Sequence, residues 1–397
     1  MTISIANNTP APPAPQGMPW LRLAFRPFYL GAAVLAALIV PLWVAIFLGA
    51  VSWQPTPAPM LWHAHEMLFG FAIAVIVGFL MTAGKTWTGL ATPRGPALGA
   101  LFLLWLSARV ASLVAPYPVF AVLDLALLPI VGLVFLRLLM RSRNWRNMPL
   151  ALILLLLTLV NLTFHLSANG VIDLDPMRSL YAALGFVVII ECVMAGRVVP
   201  FFTTSALPNI KIVTLPWLDR TALAATVVGL ALWVTNWHAG LASITLALAF
   251  ALNLVRQWRW HPLATLGRPI LWILHAAHLW LSLGLGLLAL AQMGVVTTSL
   301  GVHALGVGAT GGLILGMMTR TARGHTGRPL TADAPEVAIY ALIMLAALLR
   351  VLLPLLAPSF YVSGLVASAA AWSAAFLIYL WQYTPWLVSA RQDGKDG

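Results

Sequence analysis

Charged residues are scarce in this chain: Asp, Glu, Lys and Arg make up 8% of 397 residues, against 61% hydrophobic ones. A water-soluble fold cannot hide that much apolar surface, so lipid becomes the solvent. Mean hydropathy is +0.94. Acids are the rarer sign, 10 against 22 Lys and Arg, and the net charge is +12. That charge sits in short segments between apolar runs. It forms no basic patch interleaved with exposed aromatics, which excludes a nucleic-acid surface. Cysteine is nearly absent, and Cys192 alone permits no intrachain disulfide. It stands beside Glu191 in an apolar run and reads as a small buried hydrophobe, with a copper thiolate as the alternative. No Cys-x-x-Cys or Cys-x-x-Cys-His occurs, which excludes c-type haem attachment and a cysteine-bound iron–sulfur cluster. The start of the chain lacks the apolar core of a cleavable signal peptide. Residues 1–19 are rich in Pro, Ala and Asn and read as a disordered cytoplasmic tail. The alternating pattern of outer-membrane strands is missing too, so the spans are helices.

What is present is a series of about twelve apolar runs, each near the ~20 residues that a bilayer requires. They cover Pro27–Val51, Trp62–Ala83, Pro96–Ala115, Pro118–Met140, Met148–Ser167, Ser179–Thr203, Thr221–Thr235, Ala239–Arg256, Ile270–Met293, Ser299–Thr319, Val337–Leu356 and Val362–Tyr383. The seventh is short. The expected architecture is an all-α polytopic membrane protein with one transmembrane domain over 20–386 and a short cytoplasmic tail over 387–397. Lys and Arg recur in alternate loops. Arg22 and Arg26 precede the first span, and Arg137, Arg141, Arg143 and Arg146 follow the fourth. Arg320, Arg323 and Arg328 follow the tenth, and Arg178 is the exception. This alternation predicts an even number of spans and both termini in the cytoplasm, as a multi-pass membrane protein. Trp residues gather near span ends, where amphipathic rings settle against lipid headgroups. No internal repeat argues for an inverted-repeat transporter.

Ionisable groups inside apolar runs are expensive in lipid and usually face a cavity or a cofactor. Here Trp62-His63-Ala64-His65-Glu66-Met67 heads the second span, and His165, His275, His278 and His303 lie in others. Imidazole is a ligand that haem iron and copper share. The topology puts His63, His65, Glu66, His165 and His303 near one outer depth, with Arg109 and Arg350 toward the same level. Helix bundles build cofactor sites from facing side chains at a shared level. The two guanidinium groups suit haem propionates. His275 and His278 share a helix face nearer the inner side, for a second site or to complete the upper one. Glu191 lies near the midplane and Asp124 in the fourth span. Asn161, four before His165, is placed to orient that ring. His238, His261 and His325 fall in loops, as solvated or headgroup-contacting residues.

The motifs Arg26-Pro27-Phe28-Tyr29, Trp62–Gly70, Thr86-Trp87-Thr88-Gly89, Asn161–Leu166, Gly196–Thr203 and Leu315–Arg320 resemble, in order, those of the NnrS family. The His-Ala-His-Glu-Met block and the Gly-Met-Met-Thr-Arg block with its following Gly-His-Thr-Gly-Arg are the specific ones. One departure is Gly84-Lys85-Thr86, where the family often reads Val-Pro-Asn. The resemblance implies an inner-membrane protein of about twelve helices that binds haem and copper and takes part in bacterial responses to nitric oxide. His63, His65, Glu66, His165, His303, Thr319 and Arg320 are the motif positions carried over as functional.

The expectation is therefore a haem b and copper protein that binds, reduces or detoxifies nitric oxide or its metal adducts. Metal ligands come from His63, His65, His165, His275, His278 and His303. Arg109, Arg350, Thr319 and Arg320 serve the cofactor, and Glu66 and Glu191 relay protons. Its partners are nitric oxide, membrane lipid and an unidentified electron donor. A haem–copper oxidase subunit fits less well, because no two histidines are adjacent and none has Tyr four residues on. The rival readings are a secondary transporter of about twelve helices and a non-catalytic haem-based sensor or assembly protein.

Overall fold

The computed structural model describes residues 17–397, so most of the tail expected over 1–19 lies outside the described residues. Among the described residues there is no strand, and twelve helices are long and apolar enough to cross a membrane. They are α1 (Phe25–Phe47), α2 (Pro59–Thr88), α3 (Pro96–Val114), α4 (Tyr117–Arg141), α5 (Trp145–Ala168), α6 (Pro176–Ala206), α7 (Pro216–Thr235), α8 (Ala239–Trp258), α9 (Pro269–Gln292), α10 (Thr298–His325), α11 (Ala334–Leu356) and α12 (Pro358–Val388). Proline opens several of them, including α3, α6, α7 and α9. Its missing N–H costs nothing in the first turn, where backbone donors are unpaired anyway.

Three boundaries differ from the hydropathy reading in ways that the contacts explain. The tenth apolar run ends at Thr319, yet α10 continues to His325, so that histidine is helical rather than in a loop. The added turns are basic, and each charge finds a partner. Arg323 meets Asp333 and Glu336, both at 2.6 Å, and Arg320 lies 3.7 Å above the Phe202 ring. The His325 ring packs 5.5 Å from Phe25. Likewise Arg26 does not precede α1 but lies inside it, fully buried. Its guanidinium donates to the carbonyls of Leu387 at 2.7 Å, Ser389 at 2.8 Å and Gly397 at 2.7 Å. The segment after α12 is thereby fastened across the end of α1. The seventh helix gains a turn over its apolar run, starting at Pro216 with Asp219 in its first turn.

Sequential helices pack side by side, and α1 closes the circuit against α12. Burial sorts the bundle. In α2, α10, α9 and α6 the apolar window is 78%, 72%, 67% and 61% buried, against 33% in α7 and α8. The four central helices are those that carry His63, His65, His303, His275, His278 and Glu191. Glycines let α9 and α10 touch at backbone distance, as small residues do between helices in lipid. A Cβ on Gly284 would meet Leu305 at 2.6 Å, one on Gly301 would meet Leu288 at 2.6 Å, and one on Gly308 would strike the Trp280 ring.

Two of the central helices are not α-helical throughout. Residues Glu66–Ala72 of α2 and Ala304–Gly311 of α10 form π turns, each beginning directly after a histidine of the motif set, His65 and His303. Such turns insert one residue into the helical register and frequently mark functional positions.

Candidate functional site

The expected cluster of imidazoles at one depth divides into two sites on opposite sides of α2. Residues two apart on a helix point about 200° away from each other, so His63 and His65 cannot serve one centre.

His63 faces a cavity of about 310 Å³ bounded by α1, α2, α6, α10, α11 and α12. Its ring stacks on Trp43 of α1, with centroids 4.3 Å apart and planes at 25°. His303 enters the same cavity from α10. The His303 Nδ1–H donates to the Ser299 carbonyl at 2.7 Å. That bond fixes the tautomer and leaves a lone pair on Nε2, the arrangement in which a histidine ligates a metal. His63 Nδ1 is buried and has no protein partner. Arg350 of α11 lines the cavity as well, with Nη2 3.4 Å from Ser299 Oγ and its guanidinium 5.8 Å from the Tyr361 centroid. The remaining wall is largely apolar, including Met67, Leu68, Phe71 and Trp372. An amphipathic ligand with a metal at its centre and anionic groups at its edge matches that set of contacts, and haem has this chemistry.

On the other face of α2 lies a dry ionic cluster. His65 and Glu66 are fully buried, and Arg109, Asp124, Asn161 and His165 are 1–5% exposed. Arg109 Nη1 donates to Glu66 Oε1 at 2.5 Å, and Nη2 donates to Asp124 Oδ1. Asn161 Nδ2 donates to Asp124 Oδ2 at 2.6 Å. The Nε2 atoms of His65 and His165 each lie 3.2 Å from that same oxygen. The Asn161 Oδ1 is 3.1 Å from His65 Nε2, so this amide holds His65 and not His165 as the four-residue spacing suggested. His165 Nδ1 is bonded instead to the Tyr117 hydroxyl at 2.9 Å. The ligand atoms of His65, Asp124 and His165 all lie within 4.8 Å of one another. Arg109, expected beside a cofactor carboxylate, is instead held by two protein carboxylates and does not line the cavity.

The other expected residues are elsewhere. His275 and His278 sit on α9 toward the end that carries the Arg-rich loops. Thr203 Oγ1 donates to the Val199 carbonyl at 2.8 Å and therefore accepts from His275 Nε2 at 3.1 Å. Gln257 Nε2 donates to the His275 carbonyl at 2.7 Å, which turns Oε1 toward His278 Nδ1 at 3.1 Å. His275 Nδ1 and His278 Nε2 are left buried without protein partners. Thr319 is bonded to the Tyr340 hydroxyl at 2.6 Å and Arg320 lies over Phe202, so neither reaches the cavity or the ionic cluster. Glu191 is central in α6, with Oε2 unpartnered and Thr310, a cavity-lining residue, as its hydroxyl neighbour.

Sequence reasoning gave Asp124 no role and omitted Tyr117, Trp43 and Ser299. Asp124 had a signal: it is the lone acid in the apolar run of α4, and Arg109 is the lone base of α3. Two opposite charges in adjacent spans have to meet, because neither is tolerable alone. Trp43 and Ser299 carry no such signal.

Comparison with known proteins bears on the chain as a whole. Among curated proteins no match was found. The family model described as NnrS protein matches residues 19–391, nearly the whole chain, and its span takes in both sites and all twelve helices. This multi-pass membrane protein belongs to the NnrS family.

Proposed function

We propose that the protein is a haem b- and copper-binding membrane protein of the nitric oxide response, which binds nitric oxide and removes it or its metal adducts, with the haem held in the cavity between α2 and α10. The observation that carries this reading is the pair His63 and His303, on two helices, facing one largely apolar cavity that also holds Arg350. Haem, if held there by His63 or His303, would supply an iron able to bind nitric oxide.

The protein's own contributions follow from the contacts. Ser299 holds the His303 ring through Nδ1 and leaves the lone pair on Nε2, and Trp43 fixes the plane of His63. Arg350 offers a planar pair of donors to carboxylates at the cavity edge. Apolar walls exclude water and admit a small neutral gas that already partitions into lipid. The lining residues Phe47 and Met60 are 45% and 57% exposed, so the cavity meets the outside of the bundle at an apolar rim. Glu66 has one carboxylate oxygen committed to Arg109. Glu191, behind Thr310, is the acid with an uncommitted oxygen beside the cavity and is the candidate to relay a proton there.

The test is the optical spectrum of detergent-purified protein, oxidised and reduced. A Soret band is expected, shifted by nitric oxide in the reduced state. His63→Ala and His303→Ala should each abolish or displace it, while His275→Ala should leave it in place. Absence of any chromophore after expression with added haem precursor would overturn the assignment. Stopped-flow mixing with reductant and nitric oxide separates turnover from binding alone, and consumption faster than haem oxidation in solution is the expected result.

A further inference from the structure

The geometry points to a mononuclear copper site formed by His65 Nε2, His165 Nε2 and Asp124 Oδ2, on the opposite side of α2 from the cavity. The inference rests on the copper half of the reading above and not on the haem cavity.

Three observations converge on it. The first is spacing. Donor atoms about 2.0–2.1 Å from a shared ion at tetrahedral angles lie about 3.3 Å apart. Both imidazole nitrogens are 3.2 Å from Asp124 Oδ2. Two rings from different helices thus aim at one carboxylate oxygen at the separation that a shared ion fits.

The second is the proton inventory of His65. Its Nδ1 faces Glu66 Oε1 at 3.4 Å, and its Nε2 faces Asp124 Oδ2 and Asn161 Oδ1. The Asn161 amide nitrogen is committed to Asp124, so the atom turned to His65 is the oxygen. All three neighbours are acceptors. With Nδ1–H given to Glu66, Nε2 faces only oxygens, so it either carries a second proton or turns its lone pair to a cation lying between them. His165 is built the same way: the Tyr117 hydroxyl takes Nδ1, leaving Nε2 turned to the same place. A carboxylate behind one ring and a phenol behind the other are the outer partners that orient metal-binding histidines.

The third is charge. Glu66 and Asp124 against Arg109 leave one negative charge in a dry cluster whose members are at most 5% exposed. A buried charge requires compensation. A monovalent cation neutralises the cluster: a proton on one imidazole does so in the metal-free protein, and cuprous copper, among the metals that imidazole suits, does so when it displaces that proton. A divalent ion would overshoot it. Arg109 makes no direct contact with either imidazole among the bonds described and balances the carboxylates from behind.

The experiment uses the full chain purified in detergent, stripped of metal and loaded anaerobically with Cu(I). Copper per chain is read by elemental analysis, its ligands by X-ray absorption, and the haem band optically on the same samples. One tightly held copper per wild-type chain is expected, with a shell of two imidazoles and one oxygen. Asp124→Asn keeps the size of the side chain and its neutral contacts, and His165→Gln does much the same for the ring. Each should lose the copper while retaining the Soret band. His63→Ala and His303→Ala should do the reverse. Tyr117→Phe removes only the outer bond to His165 and should weaken copper affinity about 10–100-fold with the ligand shell unchanged. If Asp124→Asn and His165→Gln keep wild-type copper, or if wild-type protein binds none while remaining monodisperse, the site is a buried ion-pair network and the inference fails. Wild-type protein that holds copper but shows no Soret band would instead overturn the haem reading alone.

Discussion

Replacing Arg109 by Met tests whether the ionic cluster is held together by charge. The guanidinium is 4% exposed and bonds two carboxylates on two other helices, Glu66 of α2 and Asp124 of α4. Met matches its stem but removes the charge, leaving two buried acids facing each other. Breaking one buried ion pair by removing one partner costs about 3–5 kcal/mol. Two acceptors are orphaned here, so the metal-free protein should lose about 5 kcal/mol, with proton uptake by one carboxylate limiting the loss. The double variant Arg109→Met/Glu66→Gln removes one of the two stranded charges and should recover about half. Since Glu66→Gln alone also weakens the Arg109 contact, the cycle should return a coupling of at least about 2–3 kcal/mol, far above the few tenths found between independent sites. Reversible unfolding in mixed micelles, with stability followed against denaturing detergent, supplies the four values. A single variant within about 0.5 kcal/mol of wild type, the range of an ordinary surface substitution, would refute the reasoning. So would exact additivity of the two changes.

Other consequences are open to shorter tests. Gly308→Ala should drive a methyl into the Trp280 ring at the closest α9–α10 approach and destabilise by about 1–3 kcal/mol, visible as a shift in tryptophan emission and a lower melting temperature. Gly306→Ala, two residues away, points a methyl into the open cavity and should be near neutral for the stability of the haem-free protein. Thr319→Val leaves the Tyr340 hydroxyl without its partner and should cost about 1–3 kcal/mol of stability, with no effect on the Soret band or the copper content. Outside the helices, Arg391 bonds Asp393 at 2.6 and 2.9 Å and holds its carboxyl down to about 2. A lowered carboxyl contributes above its unfolded value and is lost as pH falls through the folded one, so this contact should persist at pH 4 and release only toward pH 2. Carbon-detected titration of Asp393 should show that midpoint, and Arg391→Ala should return it to the ordinary range.

Hydropathy made most of the architecture legible because backbone burial in lipid leaves few options. Twelve runs gave twelve helices, and errors were confined to a turn or so at the ends. The ends failed where charge was locally paired, as at Arg323 with Asp333 and Glu336, since a hydropathy count cannot see a partner on another helix. The site was legible by residue type but not by grouping. His63, His303 and Arg350 do share a cavity, and His65 and His165 do meet. Depth alone merged the two sets, although the two-residue spacing of His63 and His65 was already a statement of opposite faces. Asp124, the residue on which the second set converges, was visible as an isolated acid but had no assigned partner until α3 and α4 were placed side by side. Tyr117 was unreadable, because it lies outside every motif.

The π turns have a consequence for how this sequence can change. Each holds one residue more than a regular helix would need, at a point where everything upstream depends on it for rotational phase. Deleting any one residue between Glu66 and Ala72 would close the bulge and preserve the hydrogen-bond ladder, yet swing Trp62–His65 about 100° around the axis. His63 would leave its stack on Trp43 and His65 would leave Asp124 in the same stroke. One lost codon would thus uncouple both centres while sparing the bundle, and length in this stretch is constrained even where side-chain identity is free.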